Sequence, residues 1–168
     1  MTDQRGFIID SSALIDYQKI DDSILQLFTQ NIGPIYIAEP VFTDELNGFE
    51  MADCKRLGIS VVPLNFNQFI EAAGWQGSIS KYDACSLILA RENNWTVITS
   101  DRPLIIRLRS EHIPFIWGLR PMILLVSAGC LSHERAIQTA KNMQAINPKY
   151  LTSEIINKFK IEINKLLR

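Results

Sequence analysis

Val97-Ile98-Thr99-Ser100-Asp101-Arg102-Pro103 holds the end of a strand and the start of a helix in one short stretch. Trp95 to Thr99 is rich in β-branched and aromatic side chains, which favour an extended chain. Asp101 followed by Pro103 then reads as a helix start. The carboxylate accepts from free backbone N–H groups, and proline has no N–H to lose in the first turn. Leu104, Ile105 and Leu108 follow at helical spacing. Just upstream, Ser80-Lys81-Tyr82-Asp83 has the form of a capping box. Ala84, Leu87, Ile88 and Arg91 share one helical face, and Asn93-Asn94 closes the element. Helix, short apolar strand, helix is the unit of an α/β fold with a parallel sheet covered on both faces.

The same alternation runs outward from this stretch. Phe7-Ile8-Ile9 is a buried strand, and a helix is expected at Ser11-Ser12-Ala13-Leu14-Ile15 with a serine N-cap. Asp21-Asp22-Ser23 begins another helix, ended by Gly33-Pro34, and Ile35-Tyr36-Ile37 is a second strand. Glu39-Pro40 opens a helix expected to carry Val41, Phe42, Glu45 and Leu46. Further helices are expected over 50–57 and 66–73, with a strand over 59–62 between them and a last strand over 113–116. From Pro121 the chain reads as helical over 121–128, 133–145 and 152–167. The expectation is an α/β/α sandwich of four or five parallel strands in a single domain, with 6–118 as its motif-bearing core and 119–168 as a helical extension.

With 168 residues, 47% of them hydrophobic and 21% charged, the chain suits one folded domain with a full core. No apolar run reaches the ~18 residues of a membrane span, and the N-terminus lacks the basic-then-apolar form of a signal peptide. A cytoplasmic location without membrane contact is therefore expected. Cys54, Cys85 and Cys130 are odd in number and widely spaced, which argues for free thiols. The two histidines, His112 and His133, leave little material for a zinc site or a Ser/His triad. The net charge of −1 is unevenly spread: residues 1–54 hold ten acids and two bases, whereas 133–168 hold three acids and seven bases.

Four acids fall where elements meet. Asp10 and Asp101 follow apolar strand-like runs, Asp83 lies in a capping box, and Glu45 lies in a helical pattern. Each has an ordinary explanation as a cap, a turn residue or an exposed helix residue. Together they point to the carboxyl edge of a parallel sheet, where α/β folds collect ligands. Two like charges ~4 Å apart repel by ~1 kcal/mol in water and ~4 kcal/mol at an effective dielectric of 20. A cluster of acids therefore calls for a divalent cation, and Mg²⁺ or Mn²⁺ prefers oxygen ligands. Such a site suits phosphodiester hydrolysis. Ser12, Thr99 and Ser100 are placed to hold the carboxylates.

These segments resemble the motifs of PIN-domain nucleases. Ile8-Ile9-Asp10-Ser11-Ser12-Ala13-Leu14-Ile15 is similar to the opening motif, and Thr43-Asp44-Glu45-Leu46 to the second. Ser80 to Ala84 with the following apolar helix is similar to the third, and Val97 to Asp101 to the fourth. The tail around Trp117-Gly118-Leu119 and Ala128-Gly129-Cys130-Leu131 resembles VapC-type toxins. The resemblance implies a metal-dependent endoribonuclease, with Asp10, Glu45, Asp83 and Asp101 as its catalytic and metal-binding acids. It also implies an RNA substrate and, for a toxin, an antitoxin partner; a homodimer is the alternative that the apolar face of the last helix offers. Ser100 and Arg102 flank the fourth acid where some relatives carry another acid, and the tail is longer than in many such toxins. The alternatives are a PIN-fold RNA-processing nuclease outside toxin–antitoxin systems and an inactive PIN-fold binding module. An aspartate-nucleophile phosphatase would want an acid two residues after Asp10, where Ser12 stands.

Arg102, Arg107 and Arg109 are candidate contacts for RNA phosphates, against the plainer reading of a solubilising helix face. Trp75, Trp95 and Trp117 can stack on bases, but their apolar settings suggest core packing. Ile155, Ile156, Phe159, Ile163 and Leu166 give the last helix an apolar face, which suits packing on its own domain or a protein partner.

Overall fold

A computed structural model of the chain describes residues 5–75 and 77–167. Five parallel strands form its centre: β1 (Phe7–Ile9), β2 (Ile35–Ala38), β3 (Ile59–Val62), β4 (Thr96–Ile98) and β5 (Phe115–Ile116). Their order across the sheet is β3-β2-β1-β4-β5. Phe7 pairs with Ile35 on one side and with Thr96 on the other, so β1 is the central strand. The chain winds outward from β1 through β2 to β3, then crosses back to β4. The carboxyl ends of β1 and β4 therefore flank the point where the winding reverses, and a crevice forms at such a point. Asp10 and Asp101 lie at those two ends.

The connections are helical: α1 (Ser11–Ile20), α2 (Ser23–Asn31), α3 (Glu39–Asp44), α4 (Met51–Leu57), α5 (Phe66–Ala73), α6 (Lys81–Asn93) and α7 (Arg102–Ser110). Three more follow β5: α8 (Arg120–Ser127), α9 (His133–Ile146) and α10 (Ser153–Lys165). The result is an α/β/α sandwich. α6 packs on β1, β2 and β4 and in turn carries α3 and α5. Seven consecutive residues of α6, Ala84 to Ala90, are buried, as expected of a helix enclosed by the sheet and by other helices. α2 packs with α4 and α8, and α1 with α9. No described helix is long and apolar enough to cross a membrane.

Three expectations at element ends are corrected. The cap of α1 is Asp10, not a serine: its carboxylate accepts the Ala13 N–H at 2.8 Å, while Ser11 already lies inside the helix. Glu45 is the C-cap of α3, not one of its helical residues, and Glu39 is the first helical residue after the cap Ala38. The last strand is also shorter than expected, because Ile113 and Pro114 precede the two residues that pair with β4.

The tail is part of the core. Ile156, Phe159 and Ile163 of α10, Ala136, Ala140 and Met143 of α9, and Met122 and Leu125 of α8 join one buried cluster with Ile8, Ile9 and Leu14. Each Leu or Ile buried this way contributes roughly 1.5–3 kcal/mol. The three cysteines are free.

Candidate active site

The four acids named from the sequence line one cavity of about 260 Å³ at the carboxyl edge of the sheet. Asp10 is its floor. It is 3% exposed, and burial raises its carboxyl from the ordinary value to about 7. Hydrogen bonds from Thr99 and Ala13 oppose that rise, and the charge of Asp83 adds to it. Ser12 Oγ donates to Asp10 Oδ2 at 3.1 Å, and Thr99 Oγ1 donates to the same oxygen. Thr99 also accepts the Asp101 N–H at 3.0 Å. A single hydroxyl thus ties the end of β1 to the end of β4 and sets two of the acids relative to each other.

Asp101 caps α7 through the Leu104 N–H at 3.1 Å. Asp83 completes the capping box with Ser80, whose Oγ accepts the Asp83 N–H at 3.1 Å. Both carboxylates sit at helix N-termini, where the backbone dipole favours negative charge. Burial still raises the Asp83 carboxyl, and the neighbouring Asp101 raises it further. Glu45 is raised by burial too, against a hydrogen bond with Ser11, with Asp83 and Asp44 adding repulsion. Capping uses only one oxygen of Asp83 and one of Asp101, and Oδ1 of each carries no hydrogen bond among the described residues.

Other residues line the cavity that the sequence did not mark. Asp16 lies on α1 one turn beyond Ser12, and burial raises its carboxyl. Asn147 and Tyr150, from the connection between α9 and α10, close another side, and Asn147 Nδ2 donates to Asp16 Oδ1 at 3.3 Å. Asp16 gives no sequence signal because it sits inside an ordinary amphipathic helix. Asn147 and Tyr150 give none because their approach depends on tertiary packing of the tail.

Ser100 lines the cavity and accepts the Gly118 N–H at 3.2 Å. Tyr17 donates from its buried hydroxyl to the Gly118 carbonyl at 2.6 Å. A Cβ at residue 118 would run into Ser100 Oγ, so a side chain there has to displace the hydroxyl that accepts the Gly118 N–H.

The basic candidates separate. Arg102 opens α7 beside Asp101. Arg107 and Arg109 lie further along the helix, which runs back across the sheet at about 1.5 Å per residue. There Arg107 pairs with Glu111 at 3.0 Å and lies 4.9 Å from the Trp75 ring centre. Arg109 lies over Phe115, which pairs with Val97 in the middle of β4. Sequence proximity to Asp101 does not bring these two arginines to the cavity. Trp95 stacks on Tyr36 with ring centres 4.0 Å apart, a packing role, while Trp117 is 41% exposed.

The donors around the cavity are hard oxygens, the set that suits Mg²⁺ or Mn²⁺. Among the described residues no group of three or more acids stands close enough to hold an ion entirely by itself. Mg²⁺ itself keeps several waters and takes only one or two carboxylates directly. No family model matches the chain, and no curated protein matches it at a significant level.

Proposed function

We propose that the chain is a PIN-like, Mg²⁺- or Mn²⁺-dependent endoribonuclease that hydrolyses RNA phosphodiester bonds. The observation that carries this reading is the meeting of Asp10, Glu45, Asp83 and Asp101 in one cavity at the reversal point of a parallel sheet. Their order and neighbours along the chain resemble the PIN-domain motifs, which supports RNA as the substrate. The toxin of a toxin–antitoxin pair, acting as a homodimer in the cytoplasm, is the biological role that the VapC-like tail favours.

Asp10 would hold the cation with Asp101, Asp83 and Glu45 around it. Bound there, Mg²⁺ or Mn²⁺ supplies the positive charge that lets an RNA phosphate approach, polarises a phosphoryl oxygen and lowers the pKa of water. Ser12 and Thr99 fix the Asp10 carboxylate in one orientation, so little reorganisation is left for the reaction. Asp83 and Glu45, which line the cavity with Asp10, are placed to take up the proton that an attacking water releases.

The test is incubation of mixed RNA with the purified chain and Mn²⁺, beside Asp10→Asn and Asp83→Asn variants. Cleavage by the unaltered chain and its loss in both variants is expected. Cleavage that survives both substitutions sinks the mechanism. A second reading, a PIN-fold binding module without activity, draws on the finding that, among the described residues, no three acids stand close enough to hold an ion by themselves. It predicts RNA binding with no cleavage in any divalent cation.

A further inference from the structure

A second cavity of about 280 Å³ lies between Arg102, Trp117, α8 and α10. Two separate stretches of chain pass from the acidic cavity into it. Ser100 and Asp101 line the first and Arg102 the second; Asn147 and Tyr150 line the first and Thr152 and Glu154 the second. The two cavities are therefore neighbouring parts of one trough. Trp117 follows β5 directly at the carboxyl edge, and its backbone is fixed to the acidic side through the bond between Gly118 and Ser100.

We infer that this second cavity is a nucleobase-stacking subsite, in which Trp117 takes the base of a nucleotide flanking the phosphodiester held over the acids. The inference rests on the ribonuclease reading and adds single-stranded RNA as the substrate form. The indole is 41% exposed, large for a tryptophan with a purely packing role, and it is braced edge-on by Phe115 at 6.5 Å between ring centres. A braced, exposed aromatic face is a stacking platform that accepts any base. Ile123 and Phe159 give an apolar floor.

The charges suit a nucleotide as well. Arg120 pairs with Glu162 at 2.6 Å and Lys158 with Glu154 at 2.9 Å, so four of the charged groups are already matched. Arg102 forms no ion pair among the described residues, although Glu154 feels its charge. The trough therefore presents one guanidinium beside the indole, suited to a phosphate oxygen. A base stacked inside a duplex has both faces covered, so an indole platform favours a single strand.

The experiment uses the full chain carrying Asp83→Asn, titrated with single-stranded hexaadenylate and followed by tryptophan fluorescence. Quenching on binding is expected. Adding Trp117→Ala removes most of that quenching and weakens binding about 10-fold or more, whereas Trp117→Phe keeps most of the affinity. Arg102→Gln weakens binding and flattens its dependence on salt. Duplex RNA of the same length binds no better than hexaadenylate binds the Trp117→Ala variant. Trp117→Phe keeps the packing against Phe115 and should keep the parent's thermal midpoint, and an alanine variant that still melts cooperatively is folded. Equal affinity and equal quenching in that variant overturn the stacking subsite. If the unaltered chain cleaves RNA with Mn²⁺ and Trp117→Ala cleaves it at the same kcat/KM, the subsite falls and the ribonuclease reading stands. If the unaltered chain neither binds nor cleaves RNA, both fall.

Discussion

At Asp10, burial and hydrogen bonding act against each other on one carboxylate. The raised value near 7 means that the folded chain holds a proton there which the unfolded chain has released. Between about pH 4 and pH 7 the native state therefore binds more protons, and stability falls as pH rises through that window. Asp16, Glu45 and Asp83, also raised, act in the same direction. In chelator, denaturant melts should show Asp10→Asn more stable than the unaltered chain at pH 8 by roughly 2–4 kcal/mol, and little different at pH 4. An unaltered chain whose stability rises steadily to pH 8 would contradict this. Thr99 is the second telling residue. Thr99→Val removes a donor to Asp10 and an acceptor for the Asp101 N–H, and it should destabilise the fold by about 1–3 kcal/mol. The acid limb of the pH–rate profile should move to higher pH, since Asp10 loses a bond that favours its ionised form.

The element scale shows how much of the site could be read from the chain. Asp10 and Asp101 were legible because each caps a helix just after a strand, and Asp83 because it completes a capping box; caps leave a local pattern. The cap of α1 was placed at a serine because serine and aspartate do the same work at adjacent positions. Glu45 carried no directional signal, because a short helix ending at Asp44 looks like a longer one. Arg107 and Arg109 do not line the cavity, because a helix starting at a site carries its later residues away from it. The joint between β4 and β5 was illegible, since a glycine in Trp117-Gly118-Leu119 says nothing about which side chain it faces. That joint makes its own prediction. Gly118→Ala drives a methyl group into Ser100 Oγ and should cost about 1–3 kcal/mol, measured by thermal unfolding. Adding Ser100→Ala should recover part of the loss. No recovery would show that the strain lies elsewhere.

For the whole molecule, the five-stranded parallel sheet was legible from the alternation of short apolar runs with capped helices. The standing of the last fifty residues was not. They read as an extension, yet α8 and α9 cover α2 and α1, and Ile163 is as buried as Ile8. A chain cut after Gly118 should therefore lose cooperative unfolding and bind hydrophobic dyes. A sharp two-state melt of residues 1–118 would refute the view of one shared core. The tail also carries Asn147 and Tyr150 to the acidic cavity and α10 to the trough beside it. The site is thus a product of the complete fold and not of the motif-bearing part alone.

The central claim is that the four acids act as one cation site. Calorimetric titration of Mn²⁺ at pH 6.5, in two buffers of different ionisation enthalpy, tests it most directly. The prediction is saturable binding with proton release, because Asp10 must ionise to act as a ligand, and loss of that binding in both Asp10→Asn and Asp83→Asn. Absence of binding in the unaltered chain, or undiminished binding in both variants, would contradict it.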